Sequence, residues 1–202
     1  MTTGDTALDA FLGLIAERGF AGVSLRDVAA ATEAGLADLY KLYPDKAALV
    51  AAFLARIDAA VLAGTPRQAD PEETARDRLF DVMMRRYDAL RPHKASLRAI
   101  RQAALRDPLL ALALAPAVRR SMAAMLEAAG LSSDSISGAV RQNGLLAIDY
   151  AVSRIFESDD SVDLSKTMAA LDGRLKTAER WAQTFERYAV SRSRPEADPR
   201  SS

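Results

Sequence analysis

Apolar residues recur at intervals of three and four along nearly the whole chain, and the alternation that marks a strand is almost absent. Ala and Leu are abundant while Val, Ile and Thr are sparse. Such a period puts the apolar positions on one stripe of a helix, so an all-α fold of about nine helices is expected. Leu8, Phe11, Leu12 and Ile15 form the first stripe, which stops at Gly19. Ser24 is placed to cap a short second helix, with Asp27 at the third position of a capping-box-like start and Val28 as its core residue. That helix should end near Thr32, and Gly35 to Tyr40 makes a third of under two turns. Pro44 breaks it, and Asp45 caps a fourth helix running through Leu49, Phe53 and Ile57. The turn-rich GTPRQADP stretch follows, so a small N-terminal unit is expected over residues 1–63.

Residues 64–190 read as a second unit of long amphipathic helices. The expected spans are 71–90 (Leu79, Val82, Met83 and Leu90 inward), 93–105, 109–129, a segment capped by Asp134 that reaches Phe156, and 164–190. Arg76, Arg78, Arg85, Arg86 and Arg91 are expected on a solvated face of the first of these. Residues 191–202, SRSRPEADPRSS, have the composition of a disordered tail. In the last helix Leu164, Met168, Leu171, Leu175, Ala178, Ala182, Phe185 and Ala189 alternate four and three apart, a heptad seam. Leu145, Ile148, Val152 and Ile155 form a similar row on the helix before it. Two seamed helices can pair with the same two of a second copy, which makes these residues the expected homodimer interface; packing within one chain is the other use.

Composition removes several functions. With no cysteine there is no disulfide, thiolate nucleophile or cysteine-bound zinc, and a single histidine, His93, makes a histidine metal cluster or a Ser-His-Asp triad unattractive. No Gly-rich phosphate loop or paired catalytic carboxylates are visible, so no enzyme, cofactor or metal is expected. Residues 1–9 lack the basic start of a secretory signal. The longest apolar run, Pro108 to Val118, falls short of the roughly 18–20 residues that span a bilayer and contains Pro116, so stable membrane insertion is not expected. The cytoplasm is the expected compartment. The 27 basic and 27 acidic residues balance, so any attraction for nucleic acid must be local.

Residues 6–57 are the informative stretch. Gly19-Phe20, Ser24-Leu25-Arg26-Asp27-Val28-Ala29, Leu39-Tyr40, Tyr43-Pro44, Lys46 and Leu49 stand in an order and spacing that resembles the DNA-binding domain of the tetracycline-repressor (TetR) family. The resemblance implies a helix-turn-helix whose second helix enters the major groove of duplex DNA. It implies backbone contacts from Ser24, Arg26, Tyr40, Lys41, Tyr43 and Lys46, with Leu36, Ala37 and Asp38 at the base edges. The chain departs from the family where Glu33 replaces the turn glycine and Asp38 replaces a small or hydroxyl residue. Residues 1–63 hold five basic and eight acidic side chains, against the basic footprint usual for such a domain.

The resemblance also implies a ligand-responsive repressor that binds a palindromic operator as a dimer, with a small apolar effector in its C-terminal unit. Met83, Tyr87, His93, Met122 and Met125 are the candidate cavity residues, methionine being adaptable to varied apolar shapes. A looser resemblance ties Asp159-Asp160-Ser161-Val162-Asp163, Thr167 and Leu171-Asp172-Gly173-Arg174-Leu175 to lipid-binding accessory proteins of ubiquinone biosynthesis, which have a TetR fold with a degenerate helix-turn-helix. That alternative implies isoprenoid binding and no DNA.

Overall fold

In a computed structural model the backbone is described for residues 3–32, 34–66 and 72–192, and side chains through residue 182. Glu33, Pro71 and the tail from residue 193 lie outside the described residues, as does the Phe185 side chain. The helices are α1 (Thr3–Arg18), α2 (Leu25–Ala30), α3 (Leu36–Leu42), α4 (Lys46–Ala63), α5 (Ala75–Leu90), α6 (Lys94–Arg106), α7 (Pro108–Ala128), α8 (Ile136–Phe156) and α9 (Ser165–Arg192). A single 3-10 turn, Arg91–His93, joins α5 to α6, and no strand occurs among the described residues.

The caps follow from the sequence. α1 ends because Gly19 adopts a left-handed backbone (φ +75°), and its N–H donates to Ile15 O at 3.0 Å. At Gly22 an added Cβ would stand 2.6 Å from the Arg18 carbonyl oxygen, so this turn needs glycine. α2 opens with a full capping box: Asp27 N donates to Ser24 Oγ (3.2 Å) and Ser24 N to Asp27 Oδ2 (2.7 Å). The hydrogen bonds from Ser24 hold the Asp27 carboxyl below the usual carboxylate range. Asp45 caps α4, accepting from Ala48 N at 2.7 Å.

The cap of α8 is Ser135 and not Asp134: its Oγ accepts from Gly138 N at 3.0 Å. The chain turns sharply before it, for a Cβ on Gly138 would stand 2.5 Å from Ser133 C, and that turn brings Ser135 to the capping place. Pro116 does not interrupt α7. It removes one hydrogen bond, to the Leu112 carbonyl, on a side of the helix where Leu112 and Pro116 both face solvent. α7 is therefore long and apolar enough to cross a membrane by length and composition, yet Leu114, Ser121, Met122, Met125 and Leu126 are buried within the protein.

α9 is started by Asp159. Its Oδ2 accepts from Thr167 N and Thr167 Oγ1, both at 2.8 Å, and its Oδ1 from Ser161 N at 3.2 Å. Asp159 and Thr167 are fully buried, and Leu164 between them accepts a left-handed backbone (φ 53°), held there by its buried side chain. Burial pushes the Asp159 carboxyl up, but the hydrogen bonds from Ser161 and Thr167 outweigh it and leave the group well below its ordinary value. A carboxyl whose folded value is depressed contributes stability above its unfolded value and loses it as pH falls toward the folded one. Asp159→Asn is thus expected to cost about 1–3 kcal/mol at neutral pH, with the gap to wild type closing below the ordinary value of 3.8. Urea titrations at neutral pH and in acid would show it; a gap independent of pH would refute the assignment.

One apolar cluster runs from Phe11, Ile15 and Leu39 through Phe53 to Met122 and Leu171. α4 packs along α7, α1 against α6, and α8 against α9. This last pairing corrects the expected dimer seam. Leu145, Val152, Leu171 and Leu175 are buried inside the single chain, because α8 and α9 turn their seams toward each other and α9 also meets α5. Of the expected interface residues Ile148 and Ile155 are half-buried, while Met168, Ala178 and Ala182 are exposed.

Candidate nucleic-acid interface and ligand cavity

α3 presents one face inward and one outward. Leu39 is fully buried, while Leu36, Ala37, Asp38, Tyr40 and Lys41 are exposed, Tyr40 to 60%. The structure therefore brings the base-edge candidates and two of the backbone candidates onto one surface. Arg26 and Ser24 are exposed at α2. Tyr43 is half-buried, and its hydroxyl donates to Gly4 O at 3.3 Å. Desolvation, then the neighbouring Asp5, raises its pKa, so it stays a neutral donor.

The acidity of this unit is largely internal. Asp27 and Asp45 are caps, Asp9 pairs with Arg56 at 2.6 Å, and Asp58 is buried. Asp38 on the outer face of α3 pairs with Lys41 at 3.0 Å, both well exposed. An exposed pair of this kind contributes little to stability. Its effect is to leave α3 without a free positive charge from Lys41.

Lys46 is differently placed from a free surface lysine. Its Nζ donates to Phe20 O (2.7 Å) and Val23 O (2.8 Å) and lies 4.4 Å from the centroid of the Phe20 ring. Partial burial lowers its pKa. The ammonium thus ties the first turn of α4 to the loop between α1 and α2, which fixes the helix-turn-helix relative to α4.

A cavity of about 780 Å³ lies beyond α4. Val50, Phe53 and Leu54 of α4 form one wall, and α5, α6, α7 and α8 supply the others. The exposed lining residues Leu105, Ala111, Arg119, Asn143, Ala147 and Tyr150 mark its mouth among α6, α7 and α8. The lining is mostly apolar, in the size range of small-molecule sites. Of the expected cavity residues Tyr87 lines it. Met83, Met122 and Met125 do not: all three are fully buried in the close-packed core between α4, α5 and α7, where they fill space. His93 also lies outside the lining, its ring edge-on to Phe53 at 5.1 Å, and burial lowers its pKa.

Behind the cavity lies a buried polar network. Arg86, expected on a solvated face, is 3% exposed; its Nη1 donates to Asp58 Oδ1 (2.9 Å) and Ser121 Oγ (2.8 Å), and Ser121 Oγ donates to Asp58 Oδ1 (2.6 Å). The Tyr87 hydroxyl donates to Asp149 Oδ1 at 2.9 Å. Sequence spacing did carry a signal. Leu79, Val82, Met83, Arg86, Tyr87 and Leu90 continue one three-four stripe, and Asp58 stands on the stripe of Leu54 and Val61. A charge at an apolar position on each of two helices is the mark of a buried pair.

Residues 7–53 match the model of bacterial regulatory proteins of the tetR family. The N-terminal unit belongs to the TetR family. The TetR fold extends along the rest of the chain. A TetR transcriptional regulator from Nitrosomonas europaea is 21% identical, with a TM-score of 0.70, over 87% of this chain and 97% of that one. The multidrug binding protein EbrR, in complex with imidazole, gives 23% identity and a TM-score of 0.54 over 87% and 95%. The fatty acid degradation regulator FadR from Bacillus halodurans gives 16% and 0.59 over 87% and 95%. No curated protein matches the sequence. Helix capping accounts for the acidic turn at residues 159–163, whose Asp159 and Asp163 carboxylates accept backbone N–H groups at the start of α9. Nothing in this geometry favours the isoprenoid-binding alternative.

Proposed function

We propose that this protein is a dimeric, ligand-responsive repressor that binds palindromic duplex DNA through α2 and α3 and lets go when an apolar effector fills the cavity. The observation that carries this reading is the double role of α4. Its first turn holds the helix-turn-helix through Lys46, and its middle lines the cavity through Val50, Phe53 and Leu54. A ligand that pushes on this wall moves the same rigid helix that sets the attitude of α3.

In this reading Leu36, Ala37 and Asp38 meet base edges, while Ser24, Arg26, Tyr40, Lys41 and Tyr43 meet the backbone and Lys46 positions them. The dimer forms through the open faces of α8 and α9, where Ile136 is 90%, Val140 68% and Tyr150 48% exposed, beside Ile148, Ile155 and Met168. It sets two α3 helices about 34–36 Å apart, one duplex turn. The effector acts by preferring the conformation whose spacing no longer fits, a coupling of about 1–3 kcal/mol in such systems. The EbrR neighbour, a multidrug binding protein, supports a small-molecule effector. The reading needs no metal, cofactor or catalytic step and places the protein in the cytoplasm.

Selection from fragmented genomic DNA, followed by binding curves at several salt concentrations, tests it. The expected result is an enriched palindrome whose affinity falls steeply with salt. A folded dimer that enriches no fragment would overturn it.

A further inference from the structure

Five charged side chains line the cavity: Arg86, Arg101, Arg119, Asp149 and Glu157. Two of them cancel, since Arg101 grips Glu157 with two hydrogen bonds, Nε to Oε1 (2.7 Å) and Nη2 to Oε2 (2.5 Å). Arg119 is exposed, near the mouth, and donates to Asn143 Oδ1 (3.1 Å) and Gln142 Oε1 (2.8 Å). Solvent screens its charge there.

The inner end does not balance. Two carboxylates, Asp58 and Asp149, face one guanidinium. Arg86 commits Nη1 to Asp58, and its Nε, 4.0 Å from Asp149 Oδ1, is beyond hydrogen-bond reach and has no acceptor among the described residues. Asp149 therefore accepts from the neutral Tyr87 hydroxyl and is paired only loosely, at 4.0 Å, with the guanidinium that Asp58 already holds, although its side chain is only 16% exposed. Desolvation, then Asp149 itself, raises the Tyr87 pKa well above its usual value, so the phenol stays protonated and is the donor to Asp149. A carboxylate in so dry a place is costly unless a positive charge meets it. Beside it the Tyr87 ring, also in the lining, offers a face that attracts cations, whereas the Phe156 ring, its centroid 5.1 Å away, already carries the Lys94 ammonium at 4.8 Å.

We propose that the cavity selects amphipathic cations: ligands with an apolar body and an ammonium head that donates to Asp149 beside the Tyr87 ring. The proposal rests on the ligand-responsive reading above and adds the class of effector. An anionic head would place a second uncompensated charge at the inner end, and a neutral head would leave the first uncompensated.

Three probes of equal chain length isolate the head: dodecylammonium, dodecanol and dodecanoate, titrated by calorimetry below their aggregation concentrations into full-length protein freed of bound lipid. Dodecylammonium is expected to bind at least about tenfold tighter than dodecanol, the difference between a charge-assisted and a neutral hydrogen bond, and dodecanoate weakest. Asp149→Asn keeps an acceptor for Tyr87, and it should abolish the preference for the ammonium while dodecanol affinity stays within about threefold, well short of that charge-assisted difference. If dodecanol or dodecanoate binds as tightly as the ammonium, or the preference survives Asp149→Asn, the cationic class is wrong and the ligand-binding reading stands. If no probe binds, both fall.

Discussion

Asp58→Ala is expected to destabilise the protein by about 3–5 kcal/mol, the usual cost of removing one partner of a buried ion pair. The reason is what remains. Arg86 is 3% exposed, its Nη1 loses Asp58 at 2.9 Å, and its Nε already has no acceptor among the described residues. Asp149 at 4.0 Å and the Ser121 hydroxyl at 2.8 Å are then the polar side chains left beside it. Against a typical total stability of about 5–15 kcal/mol, this is a large fraction. The urea midpoint should fall at unchanged slope. A double variant, Asp58→Leu with Arg86→Met, should recover most of the loss, because well-packed apolar side chains replace a buried pair at little net cost. A loss under about 1 kcal/mol for Asp58→Ala would mean that Arg86 finds water, and that the network does not hold α4 to α5 and α7.

Lys46→Met carries the second large effect, on DNA affinity. The variant keeps an apolar stem over the Phe20 ring but loses the hydrogen bonds to Phe20 O and Val23 O. Hydrogen bonds to a charged group contribute about 1.5–3 kcal/mol in comparable settings. Their loss frees the α1–α2 loop from α4, so DNA affinity should drop by at least about tenfold, which is the lower end of that range. The salt dependence separates two causes. A lysine that meets a phosphate takes about one unit of the salt slope with it when removed, whereas a lysine that only positions the motif leaves the slope unchanged. The structure places the ammonium on two carbonyls, so an unchanged slope is expected. Tyr40→Ala is the contrasting variant, for its 60% exposed side chain can lose a DNA contact without disturbing the fold.

Both variants act through α4. At one end its position depends on Lys46, at the other on Asp58, and between them Val50, Phe53 and Leu54 face the cavity. Without the pair at Asp58, cavity occupancy would move α4 less predictably, since the helix would no longer be tied to the walls that sense the ligand. Effector response and stability are therefore expected to fall together in Asp58→Ala, while Asp149→Asn alters ligand choice alone.

Local chemistry made much of this legible in the sequence. Helix starts at Ser24 and Asp45, the stop at Gly19 and the helical stripes are set by side chains within four residues of each other, so reading along the chain recovers them. The same holds for the motif at residues 7–53, whose spacing is itself the family's signature. What the tertiary structure decided was which of several equivalent partners each stripe met. The seams of α8 and α9 suited a second copy as well as each other, and only their packing in space gave Leu145, Val152, Leu171 and Leu175 to the single chain. Methionines at helical spacing suit a core or a cavity wall alike, and close packing against α4 and α7 made Met83, Met122 and Met125 core. Arg86 met Asp58 and Ser121 across three helices, contacts with no local trace beyond a charge on an apolar stripe. Period and capping are properties of short segments, whereas burial and charge balance are properties of the whole packed chain.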